Sequence, residues 1–219
     1  MKYFFLAIAA ALLISSCSSA PPPKTFSVNL ESRNYGAGET EAYFEGFLSL
    51  GGLKKTPMNV YYYPDDDAVC LQFKLQYVVC SQFWDKSGRD AFVSAFKLYQ
   101  EEYEQKKLGR ANRKTRGAYG SVYGFFTWKK TVVSSRASGN PRIDIGYQFR
   151  DNAVFFTTTQ AEVVYEEPLI KNKSQTTTAL LMYFTRAQTE SLVQLFSQEF
   201  LQGLEQSGGA GGYRELDGY

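Results

Sequence analysis

Along most of the chain apolar and polar residues alternate, which is the period of a strand that buries one face. Phe26 to Leu30, Glu41 to Leu50, Met58 to Tyr63 and Val69 to Val79 read as four such strands, the last alternating Val69, Leu71, Phe73, Leu75, Tyr77 and Val79 with Gln72, Lys74 and Gln76. Pro64-Asp65-Asp66-Asp67, between the third and fourth, is a compact hairpin signal. The period then lengthens. Ser87, with Asp90 three residues on, offers an N-cap, and Phe92, Ala95, Phe96, Tyr99 and Tyr103 follow at helical spacing to about Lys107, with Gly109 as the stop.

The second half repeats this plan. Strands are expected near Tyr119 to Val133, Arg142 to Phe149, Val154 to Tyr165 and Thr177 to Phe184, with turns at Ser138-Gly139-Asn140-Pro141 and Asp151-Asn152. Thr185 and Gln188 form a capping box that opens a helix carrying Leu192, Val193, Leu195, Phe196 and Phe200. The expected fold class is therefore α+β: an antiparallel sheet with two helices packed on one face. Four strands and a helix occur twice, which suggests a tandem duplication with halves 26–108 and 117–203. After Gly203 the glycine-rich run to Tyr219 reads as a disordered tail, 204–219.

The beginning of the chain has a different character. Met1 and Lys2 precede an uncharged stretch from Tyr3 to Ile14, which as a helix rises roughly 18 Å and falls short of a hydrocarbon core of about 30 Å. This is the apolar region of a signal peptide, 1–16, not a membrane span. Ile14-Ser15-Ser16-Cys17 resembles the lipobox of bacterial lipoprotein precursors, with isoleucine in place of the commoner leucine and Ser16 where glycine or alanine is usual. The resemblance implies cleavage after Ser16, a diacylglycerol on the Cys17 thiol, and attachment to a lipid bilayer in the bacterial envelope. Residues 17–25, with Pro21-Pro22-Pro23, then form an extended tether to one domain spanning 26–203. Ser18 in place of Asp after the cysteine favours an outer membrane under the enterobacterial sorting pattern. The rest of the chain carries no motif of a known family.

Composition narrows the chemistry. The chain has no histidine, which removes the usual general base and the Ser-His and Cys-His nucleophile pairs. Asp65-Asp66-Asp67 lacks the glycine-broken loop and distal glutamate of a calcium site, so it reads as a solvated hairpin tip. Glu166 and Glu167 with Asp144 could supply paired carboxylates for glycoside hydrolysis, yet an exposed loop is the simpler reading. Neither Ser121 nor Ser134 stands at the Ser-x-x-Lys spacing from Lys129, and Lys74 has no such partner. No catalytic residue, metal or cofactor is expected. Between Cys70 and Cys80 an uninterrupted strand would hold the thiols about 33 Å apart, so two free thiols are expected.

With 24 Lys and Arg against 22 Asp and Glu, global charge selects no partner and gives no reason to expect nucleic acid. One local run does stand out. Lys106, Lys107, Arg110, Arg113, Lys114 and Arg116 lie within eleven residues that contain no acid. A solvated connector is one reading, and contact with an anionic surface is the other. The sequence as a whole points to a non-enzymatic lipoprotein that binds another envelope protein or cell-wall component, or holds structure there. A carrier of an apolar ligand and a carboxylate-based cell-wall hydrolase are its rivals.

Overall fold

Short strands of alternating residues dominate the folded chain. A computed structural model describes residues 25–45, 52–130, 136–166 and 174–208. In order, β1 (Tyr35–Glu45), β2 (Leu53–Tyr63), β3 (Ala68–Leu75) and β4 (Val78–Trp84) lead into α1 (Lys86–Glu104) and the single turn α2 (Asn112–Thr115). Then come β5 (Ser121–Tyr123), β6 (Phe125–Lys130), β7 (Arg136–Gly139), β8 (Arg142–Arg150), β9 (Ala153–Gln160), β10 (Val164–Glu166), β11 (Ser174–Thr176) and β12 (Leu180–Phe184). Helices α3 (Arg186–Phe196) and α4 (Gln198–Gln206) close the described chain.

Ten of these strands form one antiparallel sheet in the order β5-β8-β9-β12-β1-β2-β3-β4-β6-β7, and β10 and β11 pair apart from it. The sheet is curled, and the chain ties its two ends together. β5 runs into β6 through Gly124 alone, and β7 into β8 through Asn140 and Pro141. Both ladders keep one register, Ser121 opposite Asp144 and Thr127 opposite Ser138, with Gly124 N–H donating to the Pro141 carbonyl between them at 3.1 Å. They are thus two parts of one long hairpin. Proline has no N–H to give the ladder, so it interrupts the pairing at Pro141 without turning the chain.

The pleat then sends alternate side chains to an inner face. Met58, Val60 and Tyr62 of β2, Val69, Leu71 and Phe73 of β3, Cys80, Gln82 and Trp84 of β4, and Phe126 and Trp128 of β6 follow one another through the registers, and all are buried. Ile143, Ile145 and Tyr147 of β8 face Gln160, Thr158 and Phe156 of β9 on the same side. Gln82 Nε2 donates to Gln160 Oε1 at 2.8 Å, joining β4 to β9 across the inside of the curl, and Trp84 Nε1 donates to Gln82 Oε1 at 2.9 Å. The buried apolar side chains of both sets form one hydrophobic core inside the curl.

The helices stopper one end of this curl. Asp85 caps α1 by accepting from Gly88 N–H at 2.7 Å, so the helix begins one residue before the expected Ser87 cap. Its Phe92, fully buried, stands with its ring 5.6 Å from that of Trp84, 5.3 Å from Phe156 and 5.2 Å from Phe196 of α3. The expected capping box of Thr185 and Gln188 opens α3. On the outer face Phe26, Val28 and Leu30 lie against Tyr61, Tyr63, Cys70 and Phe83. They do so without joining the sheet, where a strand was expected.

These findings correct the expected fold class. The α+β arrangement of a sheet with two helices packed on it, built from two units of four strands and a helix, is overturned. β1 pairs with β12 and β4 with β6, so strands of both halves share one sheet and neither half buries a core of its own. Four helices occur among the described residues, and they cover an end instead of forming a second layer. α4 also continues to Gln206, past Gly203.

The strand expected over Val69 to Val79 is two strands. Gln76 adopts a left-handed conformation (φ 52°) and Leu75 pairs with Val78, making a tight turn that no glycine, asparagine or aspartate announces. Cys70 and Cys80 therefore sit on adjacent strands, not at opposite ends of one. They remain free thiols because the pleat points them to opposite faces, Cys70 beside Tyr61 and Phe83 outside and Cys80 opposite Phe73 inside. Burial pushes both thiols up, Cys80 to about 12, so neither supplies a thiolate at neutral pH.

Candidate functional site

The expected leader with its Ile14-Ser15-Ser16-Cys17 motif, the tether up to Lys24, Ser134, Glu167 and the tail beyond Gly208 lie outside the described residues. The hairpin at Asp65 to Asp67 is not a free solvated tip. Asp66 Oδ2 accepts from Asn29 N–H at 3.1 Å, and Asp67 Oδ1 meets Nη2 of Arg89 at 2.7 Å. Arg89, only 1% exposed, also donates to the Asp67 carbonyl (2.6 Å) and to Gln198 Oε1 of α4 (3.1 Å). One buried guanidinium thus fastens the β2–β3 turn, α1 and α4 together. Sequence reasoning missed it because an arginine on a helix reads as solvent-facing unless its partner is known. Asp144, the third proposed carboxylate, is paired with Arg142 at 2.7 Å on the outer face.

The basic run is held in place at several points. Lys106 takes a left-handed conformation (φ 55°), and Lys106 and Lys107 N–H donate to the carbonyls of Tyr103 and Glu102 in a Schellman ending. The helix therefore ends at Glu104, with left-handed Lys106 in the stopping role expected of Gly109. Leu108 packs on the main core, Gly109 N–H donates to the Tyr147 hydroxyl at 3.0 Å, and the Arg110 guanidinium lies 5.0 Å from the centre of the Phe149 ring. At the base of the excursion the Tyr119 hydroxyl donates to Glu102 at 2.8 Å, and burial pushes its ionisation above the usual tyrosine range.

The run ends by crossing the outer face of β8. Thr115 is buried, and a Cβ added to Gly146 would stand 1.9 Å from the Thr115 carbonyl oxygen and 2.5 Å from that of Arg116. Only glycine lets the two backbones come this close. Replacing Gly146 with alanine should therefore lift α2 off β8. A loss of about 1–2 kcal/mol in urea unfolding is expected, with new proteolytic cutting between Gly109 and Gly117. Unchanged stability together with unchanged cutting would show that the close approach does not hold the segment.

All six cations, Lys106, Lys107, Arg110, Arg113, Lys114 and Arg116, are exposed. None forms an ion pair among the described residues. The arrangement is a positive surface strip fixed to the sheet. It offers point charges and forked donors for anions.

Fold and surface together describe a small all-antiparallel sheet protein with a helical stopper and a cationic strip. The chain belongs to the bacterial family described as "Uncharacterised Treponema protein", whose model matches residues 23–203. No curated protein and no solved structure matches it.

Proposed function

We propose that this protein is a lipid-anchored module of the bacterial envelope that works by binding or by holding structure, not by catalysis. The observation that carries the reading is the leader: an apolar stretch too short to span a bilayer ends in Ile14-Ser15-Ser16-Cys17. The family match begins at residue 23, on the mature side of Cys17. A carrier of apolar ligands is a weaker reading, because Phe73, Trp84, Phe126, Trp128, Phe156 and Phe184 already fill the inside of the sheet. Carboxylate-based hydrolysis is weaker too, since Asp144 spends its charge on Arg142.

Labelling cells with fatty acid tests the anchor. The wild-type chain should incorporate label and shorten by the leader, while Cys17→Ser should do neither, because the thiol is the acyl acceptor and lipidation precedes cleavage. Label retained after that replacement sinks the proposal.

A further inference from the structure

We infer that the flank of the sheet carrying the basic strip docks on the anionic headgroups of the membrane that holds the protein. This rests on the anchored reading above, and three observations lead to it.

The end of the strip, at Thr115 and Arg116, and the root of the tether lie on one side of one strand run, while Arg110 meets Phe149 of the opposite face. The Phe26 carbonyl accepts a hydrogen bond from the Asn140 side chain, and the Thr115 carbonyl sits over Gly146. Asn140 and Gly146 belong to the continuous β7–β8 run, six residues apart, about 20 Å at strand spacing. An even separation puts both on the same outer face. From Cys17 to Lys24 there are eight residues, which reach at most about 28 Å. Acyl chains on Cys17 would therefore keep this flank close to the headgroups and raise the effective concentration of the one for the other.

The charge of the strip is matched to such a surface. Among the described residues its six exposed cations have no ion-pair partner; Asp144, beside Gly117 at the end of the strip, is paired with Arg142, and the nearest exposed acids along the chain, Glu101 and Glu104, precede the left-handed Lys106 that turns the chain off the helix. Between strip and tether root, Tyr123 is 42% exposed opposite Arg142, an aromatic body with a polar tip of the kind that settles at a membrane surface.

The strip is also ordered before it binds. Glu102, Tyr147, Phe149 and Gly146 hold it at four points, so docking costs little loss of backbone freedom.

The test uses the unlipidated mature chain, residues 17–219 with Cys17→Ser, which contains every described residue. It is sedimented with vesicles of phosphatidylcholine alone or of phosphatidylcholine with phosphatidylglycerol. Binding should appear with the anionic vesicles only and fade as salt shortens the Debye length below about 8 Å. Lys107→Glu, Arg113→Glu and Lys114→Glu together should weaken it by at least about tenfold at an unchanged melting temperature. A control with Lys54→Glu and Lys74→Glu should bind like the parent. Equal binding by the strip variant, or no binding to anionic vesicles at low salt, overturns the inference. So does tighter binding to soluble polyglutamate than to vesicles of equal charge, which would assign the strip to a polymer. Fatty-acid labelling of the full chain is read separately, so either idea can fail without the other.

Discussion

Phe92→Ala is expected to lower the stability of the fold by about 3–5 kcal/mol, the cost of emptying a fully buried aromatic site. The ring touches three strands and a second helix. Trp84 ends β4, Phe156 lies within β9, Phe184 ends β12, and Phe196 belongs to α3. Four rings surround it at 5.2 to 6.4 Å, mostly edge to face, an arrangement that adds to simple burial. Its loss should loosen the helical stopper and leave the ladders standing. Urea unfolding should show a lower midpoint, and hydrogen exchange should rise in α1 and α3 before it rises in β2 and β3. A loss under about 1 kcal/mol would mean that the neighbouring rings collapse into the space and that Phe92 is no keystone.

Asp67→Asn should cost about 2–3 kcal/mol, less than the full penalty for stranding a buried charge because the Asp67 side chain is 38% exposed. Asparagine tolerates the left-handed backbone at this position (φ 45°), so the change reports the charge and not the turn. What it leaves behind is Arg89, buried among the Asp67 and Trp84 carbonyls and Gln198 with no anion to meet. A compensating Arg89→Met replacement should recover a good part of the loss, since a buried pair removed whole costs less than a pair broken. If the two single losses simply add, Arg89 and Asp67 are not coupled as the 2.7 Å contact implies.

Much of the local structure was legible because it rests on neighbours in the chain. The capping box at Thr185 and Gln188 needs only residues three apart. The Asp151-Asn152 turn, with both residues left-handed, uses side chains that tolerate that conformation. The two turns that were misread show the opposite case. Gln76 turns the chain without any turn-forming residue, because the pairing of β3 with β4 compensates the strain over seven registered positions. Ser138 to Pro141 carries turn-forming residues and yet runs straight, because β6 and β9 on either side hold β7 and β8 in one line.

The candidate surface divides in the same way. That six cations cluster between Lys106 and Arg116 is plain from the sequence. That they form a fixed strip depends on Tyr147, Phe149 and Gly146, thirty or more residues away, and these have no local signature. The pattern of residues was enough to place α1 and α3 and the inward face of Val69, Leu71 and Phe73, but not that of β4, where Cys80 and not Val79 points inside. Long-range contacts alone set that the strands curl into one shared sheet, that Arg89 is buried, and that the basic run ends across Gly146. Alternation and capping are set by contacts a few residues long, whereas closure of the sheet depends on pairings such as Tyr43 with Tyr183. Such pairings gain nothing until the whole chain has collapsed around them.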